Sequence, residues 1–476
     1  MPFFGKLIIL IHLTAAALSN RGIFTEGLVG QPLNFVPHLG RQTVVDRDIS
    51  QILYPQLVEY NLRGDLVPSL AEKWEISDNF LEYSFKLKEG VYWSNNREIT
   101  GDDIIFTAQN TPGIKNVEVQ KISEYEVKFF LKEPFAPFLD LLTLKIIPKE
   151  ASIGLKPITL ADYEIVRVVR SGQRVDEVLI HTNSPENDPF GRIEFMRFKF
   201  YDREDDLETA AKLKEIDALY SKNLADQRFF KFDFPQNARR YGVFFNLNSE
   251  KFKNSAMRQD LATIIDKNEI INKALNGLGE PVDFFESGAG ITPNANYNTE
   301  IVLTVPNDTE HLEIAALLKD YWSQIGITAK ILPLPFWDIS TRVIDTSDFE
   351  ILLFGQEKGR DPDEYTLWHS TKTRYPGLNI SQLNNQRVDD ALEKGRREMD
   401  PEKREAHYEN FITILREEMP AVFLYRPVYR WYISQKYADL FEKYLLLATC
   451  CDGCECKEPL SPDLYYPWER FNLLPI

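Results

Sequence analysis

Cysteine is scarce in this chain: four in 476 residues, all within Cys450–Cys456. A disulfide-stapled scaffold is therefore excluded, and most of the chain must hold together by burial, which its length readily supplies. Histidine is scarce as well. The six, His12, His38, His181, His311, His369 and His407, show no metal-ligand spacing, and with five Met they weigh against a protein-ligated metal. Positive charge is the minority sign: 55 Lys and Arg against 72 Asp and Glu give a net charge of −17. Nucleic acid and anionic membrane faces need clustered cations, so both are disfavoured as partners. Long apolar runs are missing beyond the N-terminus. The motifs of common chemistry are missing too: no G-x-S-x-G elbow, no H-E-x-x-H, no phosphate loop and no dinucleotide fingerprint. An enzyme is not expected, and neither a cofactor nor a metal is implied.

What is present is a folded globular chain of two or three domains, 43% hydrophobic and 12% aromatic. The 31 Phe and 21 Tyr exceed ordinary core needs and leave some to line a binding surface. At the N-terminus, Lys6 precedes the apolar run Leu7–Leu13 and the small residues Ala15-Ala16-Ala17-Leu18-Ser19. This pattern predicts a signal segment over 1–19 and an exported protein, periplasmic or on the outer face of the cytoplasmic membrane; the alternative is a buried N-terminal element. No cysteine follows the run to carry a lipid. At the other end, Cys451–Cys454 is a C-x-x-C pair with Cys450 and Cys456 beside it. One or two local disulfides are expected there, with a thiolate metal site as the alternative.

Between the ends the periods are readable. Leu81, Tyr83, Phe85 and Leu87 alternate with polar residues, as do Tyr125, Val127, Phe129 and Leu131, so both segments read as half-buried strands. Thr100 followed by Asp103 is a capping box opening a helix that stops at Asn110-Thr111-Pro112-Gly113. Tyr163–Val169 and Val175–His181 flank Arg170-Ser171-Gly172-Gln173 as a hairpin. Ile193–Tyr201 reads as a strand, Leu207–Ile216 as a helix and Phe229–Phe234 as an aromatic core strand. From Tyr241 the pattern changes. Strand Tyr241–Leu247 precedes two helices, the second closed by Gly277. Strand Ile301–Val305, helix Glu310–Gln324 and strand Ile327–Leu332 then form a β–α–β unit, predicting a parallel sheet that Phe349–Phe354 joins. Asp400-Pro401 caps a further helix, and Ala421–Tyr425 is a strand.

Phe349–Phe354 is bounded by Asp348 and Gly355, the pattern of a strand buried on both faces. The loop beyond it carries Glu357, Lys358, Arg360, Asp361, Asp363 and Glu364, then Tyr365, Trp368 and His369. Ligand crevices in open α/β sheets lie beyond the carboxyl ends of strands, and charges beside aromatics suit a polar ligand with an apolar body. An ordinary solvated loop is the other reading.

Four blocks in register resemble the family 5 extracellular solute-binding proteins, the oligopeptide, dipeptide and nickel receptors of ABC importers. They are Pro68–Trp74 through Thr100-Gly101-Asp102-Asp103; Phe244-Phe245-Asn246-Leu247 with Met257-Arg258-Gln259 and Ile265-Asp266-Lys267; Gly326-Ile327 through Asp348-Phe349-Glu350; and Asn384–Tyr425. The resemblance implies an α/β, two-lobe periplasmic-binding-protein type II fold of the large peptide-binding subclass, with mixed sheets and hinge crossings at Tyr241–Leu247 and Ala421–Tyr425. Lobe I would span 20–240 with an α+β subdomain at about 50–150. Lobe II would span 241–425, and 426–476 would return to lobe I and end in the cysteine tail. The implied function is a monomeric receptor closing on a short peptide for an ABC permease. A receptor for nickel chelate or haem and a non-transport surface scaffold or adhesion protein are the alternatives. The implied ligand-binding residues are Asp361 and Asp363 for an amine, Trp368, Phe245 and Tyr425 for apolar parts, and Asn246 for backbone. Around Lys358, where the family's amine-binding acid stands, this chain has no clear acid. It also departs from the family in the short helix after Thr100, in Ile158–Tyr163 replacing a glycine-rich turn, in Gly288–Pro293 replacing a helix, and in its cysteine tail.

Overall fold

The computed structural model describes residues 22–61, 64–183, 193–282, 296–374 and 377–438. The signal segment, Gly288–Pro293 and the four cysteines lie outside the described residues. The described chain forms two compact units, one of 22–233 with 430–438 and one of 234–429.

The first unit opens with β1 (Gly22–Val29) and α1 (Val44–Leu53). A small hairpin follows, β2 (Val58–Tyr60) with β3 (Leu66–Pro68). Next comes an antiparallel meander of β4 (Ala71–Ile76), β5 (Glu82–Leu87), β6 (Glu118–Ser123) and β7 (Glu126–Phe130), ordered β4-β5-β7-β6, with α2 (Gly101–Asn110) between β5 and β6. The alternation read from sequence survives: Tyr83, Phe85 and Leu87 of β5 and Val127 and Phe129 of β7 are buried. The capping box at α2 forms, with the Thr100 amide donating to Asp103 at 3.0 Å. Asp103 is wholly buried and held by Arg97 at 2.6 Å, the arrangement that lets a carboxylate leave water. After the short α3 (Phe138–Leu141) come β8 (Tyr163–Ser171) and β9 (Arg174–Thr182), the predicted hairpin, turning at Gly172 with φ +65°. Then follow β10 (Ile193–Tyr201), α4 (Glu204–Lys212), β11 (Ala218–Tyr220) and β12 (Phe229–Pro235). The main sheet of this unit runs β11-β1-β10-β9-β8, with β1 parallel to both neighbours. The aromatic run Phe229–Phe234 is a strand, but only Phe234 of its aromatics is buried and Phe230 is 41% exposed, so the expected core strand is corrected.

The chain passes into the second unit between Asp233 and Phe234 and returns between Tyr429 and Arg430, so Tyr241–Leu247 and Ala421–Tyr425 lie inside it. Its elements are β13 (Arg239–Phe245), α5 (Ser255–Thr263), α6 (Lys267–Ala274), β14 (Gly279–Pro281), β15 (Thr299–Pro306), α7 (Thr309–Ser323), β16 (Ile327–Leu334), α8 (Phe336–Asp338), α9 (Ile344–Thr346), β17 (Ile351–Glu357), α10 (Tyr365–Trp368), α11 (Gln386–Arg397), α12 (Pro401–Glu418) and β18 (Ala421–Ser434). The order β16-β15-β17-β13-β18 puts the predicted β–α–β unit, β15-α7-β16, at one side, parallel to β17 as expected.

This sheet is covered on both faces. Ile351 and Leu353 of β17 and Val243 and Phe245 of β13 pack into one core with α5, α6 and α7. Leu352, Phe354 and Phe244 pack into the other with α11 and α12. That is why 351–354 reads as an unbroken apolar run rather than an alternation. Side-chain N-caps fix helix starts in this unit, among them Asp308 for α7 and Asp400, followed by Pro401, for α12. Among the described residues no helix is long and apolar enough to cross a membrane.

Candidate functional site

The parallel strands β15 and β17 end at Pro306 and Glu357. Antiparallel β13 begins beside the end of β17, pairing Arg239 with Glu357 and Tyr241 with Gly355, and Tyr241 pairs with Tyr425 of β18 on its other side. The register thus gathers three chain segments that are remote in sequence at the carboxyl ends of the parallel strands, where α/β sheets bind ligands.

The rings stack here. Tyr241 lies 5.1 Å from Tyr425 at an interplanar angle of 8°, and 5.4 Å from the His311 ring. Glycine at 355 makes this possible, since a Cβ there would meet the Tyr241 ring at 2.9 Å. Arg239 donates from Nε to Glu357 Oε1 at 2.9 Å and from Nη1 to the Tyr429 hydroxyl at 2.5 Å. The Tyr425 hydroxyl donates to Glu310 at 3.4 Å. Burial, then the neighbouring Tyr429, raises the Tyr241 phenol, so it stays neutral and a hydrogen-bonding group. At the start of α7, His311 Nδ1 lies 2.7 Å from Asp308. Burial pushes the Asp308 carboxyl up, but the His311 ring and backbone outweigh it and hold the group at about 2. His311 Nε2 is buried without a hydrogen-bond partner among the described residues.

The loop after β17 has a different character, because its acids are matched by arginines. Glu364 takes Arg240 through both oxygens, at 3.1 and 2.5 Å, and accepts from the Trp368 indole at 2.7 Å. The same guanidinium sits 4.0 Å over Phe423. Asp361 accepts from Arg404 at 2.6 and 2.8 Å, and Asp363 pairs with Arg396 at 3.0 Å. The Arg396 guanidinium in turn lies 4.1 Å over Tyr365. Burial raises Glu364, but Arg240 outweighs it and keeps the carboxyl below its ordinary value. For Asp363 burial wins over Arg396, and with Asp361 adding to it the group is pushed up to about 6. His369 stacks on Tyr365 at 4.0 Å, with Nε2 3.4 Å from Glu393 and 3.7 Å from Asp389. Among the described residues no three His, Cys, Asp or Glu side chains gather as metal ligands.

The six side chains singled out from sequence therefore separate. Tyr425 belongs to the aromatic cluster but is itself wholly buried and lies behind Tyr241. Phe245 is wholly buried, 5.4 Å from Phe252, and has no surface for a ligand. Trp368 is buried and braces Glu364. Asn246 donates to the Ser347 and Phe349 carbonyls at 2.9 and 2.8 Å, tying β13 to the segment before β17. Asp361 and Asp363, expected to meet an amine, face arginines of this chain instead. The partners Arg396 and Arg404 come from α11 and α12, and no local spacing announces them. Tyr241, Arg239 and His311 were not singled out; an Asp308 N-cap with His311 three residues on was the one local signal.

The family model described as "Bacterial extracellular solute-binding proteins, family 5 Middle" matches residues 65–300. The chain is 22% identical to the dipeptide-binding protein of Escherichia coli (strain K12), covering 87% of this chain and 91% of that protein. Among solved structures it is similar to the ABC transporter substrate binding protein CtaP of Listeria monocytogenes, with a TM-score of 0.74 and 22% identity, covering 87% of this chain and 94% of that one. It is also similar to the oligopeptide-binding protein AppA of Bacillus subtilis in complex with a nonapeptide, with a TM-score of 0.69, 20% identity and coverage of 87% and 94%. The chain belongs to the bacterial extracellular solute-binding proteins of family 5.

Proposed function

We propose that the chain is an extracytoplasmic receptor that binds short peptides and delivers them to an ABC permease. Family membership carries this reading, and the cluster at the carboxyl ends of β15 and β17 supports it. Half-buried Tyr241, backed by the buried Tyr425 ring, offers an apolar face, while Arg239, Tyr429 and His311 offer donors for peptide carbonyls or a carboxylate. The receptor acts outside the cytoplasm as a monomer, and its work is binding rather than chemistry.

A thermal-shift screen of the chain against di- to pentapeptide pools, nickel chelates and haem tests this. A peptide at a hundredfold its dissociation constant adds about 2.7 kcal/mol of apparent stability. A shift with peptides is expected. A shift with nickel chelate or haem alone overturns the substrate and keeps the receptor; no shift with any ligand favours a surface scaffold on the same fold.

A further inference from the structure

The first unit holds an acid treated unlike those of the loop. Glu26 sits in the middle of β1 with no exposed surface, and neither of its carboxyl oxygens completes a hydrogen bond among the described residues. No Lys, Arg or His of the described residues is paired with it. Two groups act on it: the carboxyl of Asp48 from α1, itself 8% exposed, and the indole of Trp431 from β18. Burial first and Asp48 second push Glu26 well above the ordinary carboxylate range, and the indole offsets this only in part. A buried carboxyl with both oxygens unused is uncommon, and a second acid beside it makes the position unfavourable for the fold alone.

What would complete this position is a cation able to donate hydrogen bonds. An alkylammonium group fits: it balances the charge of Glu26, gains from the second charge on Asp48, and donates to carboxyl oxygens that lack a hydrogen-bond partner. We propose that Glu26, with Asp48 and Trp431, is the acceptor of a ligand ammonium group, such as the amino terminus or lysine side chain of a peptide. The proposal deepens the peptide-receptor reading and rests on it. It also agrees with the loop, where Arg404, Arg396 and Arg240 already occupy Asp361, Asp363 and Glu364.

The experiment takes the lysine-free tripeptide that best stabilises the wild-type chain in a pool screen, together with its N-acetylated form. Affinities of both are measured calorimetrically for wild type, Glu26→Gln and Asp48→Asn, and each unliganded protein is melted. Wild type should bind the free-amine peptide about tenfold or more tighter than the acetylated one. Glu26→Gln should lose that discrimination while melting no lower than wild type, and Asp48→Asn should lose a smaller part of it. Should Glu26→Gln fail to fold, the Asp48→Asn result decides. Equal wild-type affinity for the two forms overturns the ammonium site and leaves the receptor reading standing, as does undiminished discrimination in the substituted protein. If no tripeptide stabilises wild type, the receptor reading itself fails and takes this inference with it.

Discussion

Glu364 and Glu26 are both buried glutamates, one in each unit, and they have opposite surroundings. Glu364 has Arg240 on both oxygens and an indole N–H besides, and its carboxyl is held below the ordinary range in spite of burial. Glu26 has an acid for a neighbour and no paired cation among the described residues, and its carboxyl is raised. Burial acts in the same direction on both; the partner decides the outcome. A carboxylate with its guanidinium is part of the scaffold. A carboxyl without one is a position still open to a partner. The contrast separates the loop after β17, which looked like a ligand site from its charges, from the residues left with something to offer a ligand.

The largest effect should come from breaking the satisfied member. Arg240→Met strands Glu364 in the core and should destabilise the chain by about 3–5 kcal/mol in urea unfolding. A loss under about 1 kcal/mol would mean that Glu364 reaches water and that the pair contributes little. Relieving the unsatisfied member should act the other way. A carboxyl whose folded value lies above its unfolded one binds more protons when folded, so its contribution to stability is fullest at low pH and is lost as pH rises from about 4 toward the folded value. Glu26→Gln removes that loss and should melt higher than wild type at pH 7, with little difference at pH 4. A uniform loss across that range would place a structural hydrogen bond at Glu26.

Asp363 sharpens the comparison, since it has an arginine and is still pushed up to about 6. The sign is the same as for Glu26: wild-type stability should fall between about pH 4 and pH 6. Asp363→Asn should flatten that part of the profile by about 1–2 kcal/mol, read from melting temperatures across the range. An unchanged slope would assign the fall to other groups. The smallest effect is expected at the aromatic cluster: Tyr425→Phe removes one long hydrogen bond to Glu310 and should cost less than about 1 kcal/mol. A larger loss would show that the hydroxyl is fastened within the scaffold rather than poised for a ligand.

The fold was legible where one period ran long enough to bury one face. The β15-α7-β16 unit, the β8–β9 hairpin turning at Gly172 and the helix opened by Thr100 and Asp103 all stood where apolar spacing and caps placed them. Strand β6 was missed because none of its side chains is fully buried, so no alternation marks it. The pairing of Asp361 with Arg404 and of Glu364 with Arg240 spans 43 and 124 residues, and charges that distant leave no local pattern. The same holds for Tyr241, which joins Tyr425 and His311 only through the register of three strands and a helix start. Nothing in the local sequence around Glu26 marks it. Its isolation is a property of what surrounds it.

The account turns on Glu26 being uncharged while Glu364 is charged, and an infrared spectrum tests that most directly. At about pH 7, where an ordinary carboxyl is ionised, the chain should show a protonated-carboxyl carbonyl band that weakens in Glu26→Gln and is unchanged in Glu364→Gln. The band should also shrink when an amine-bearing peptide binds. A spectrum in which Glu26→Gln weakens no such band would mean that Glu26 is ionised like its counterpart, and the contrast between the two acids would be contradicted.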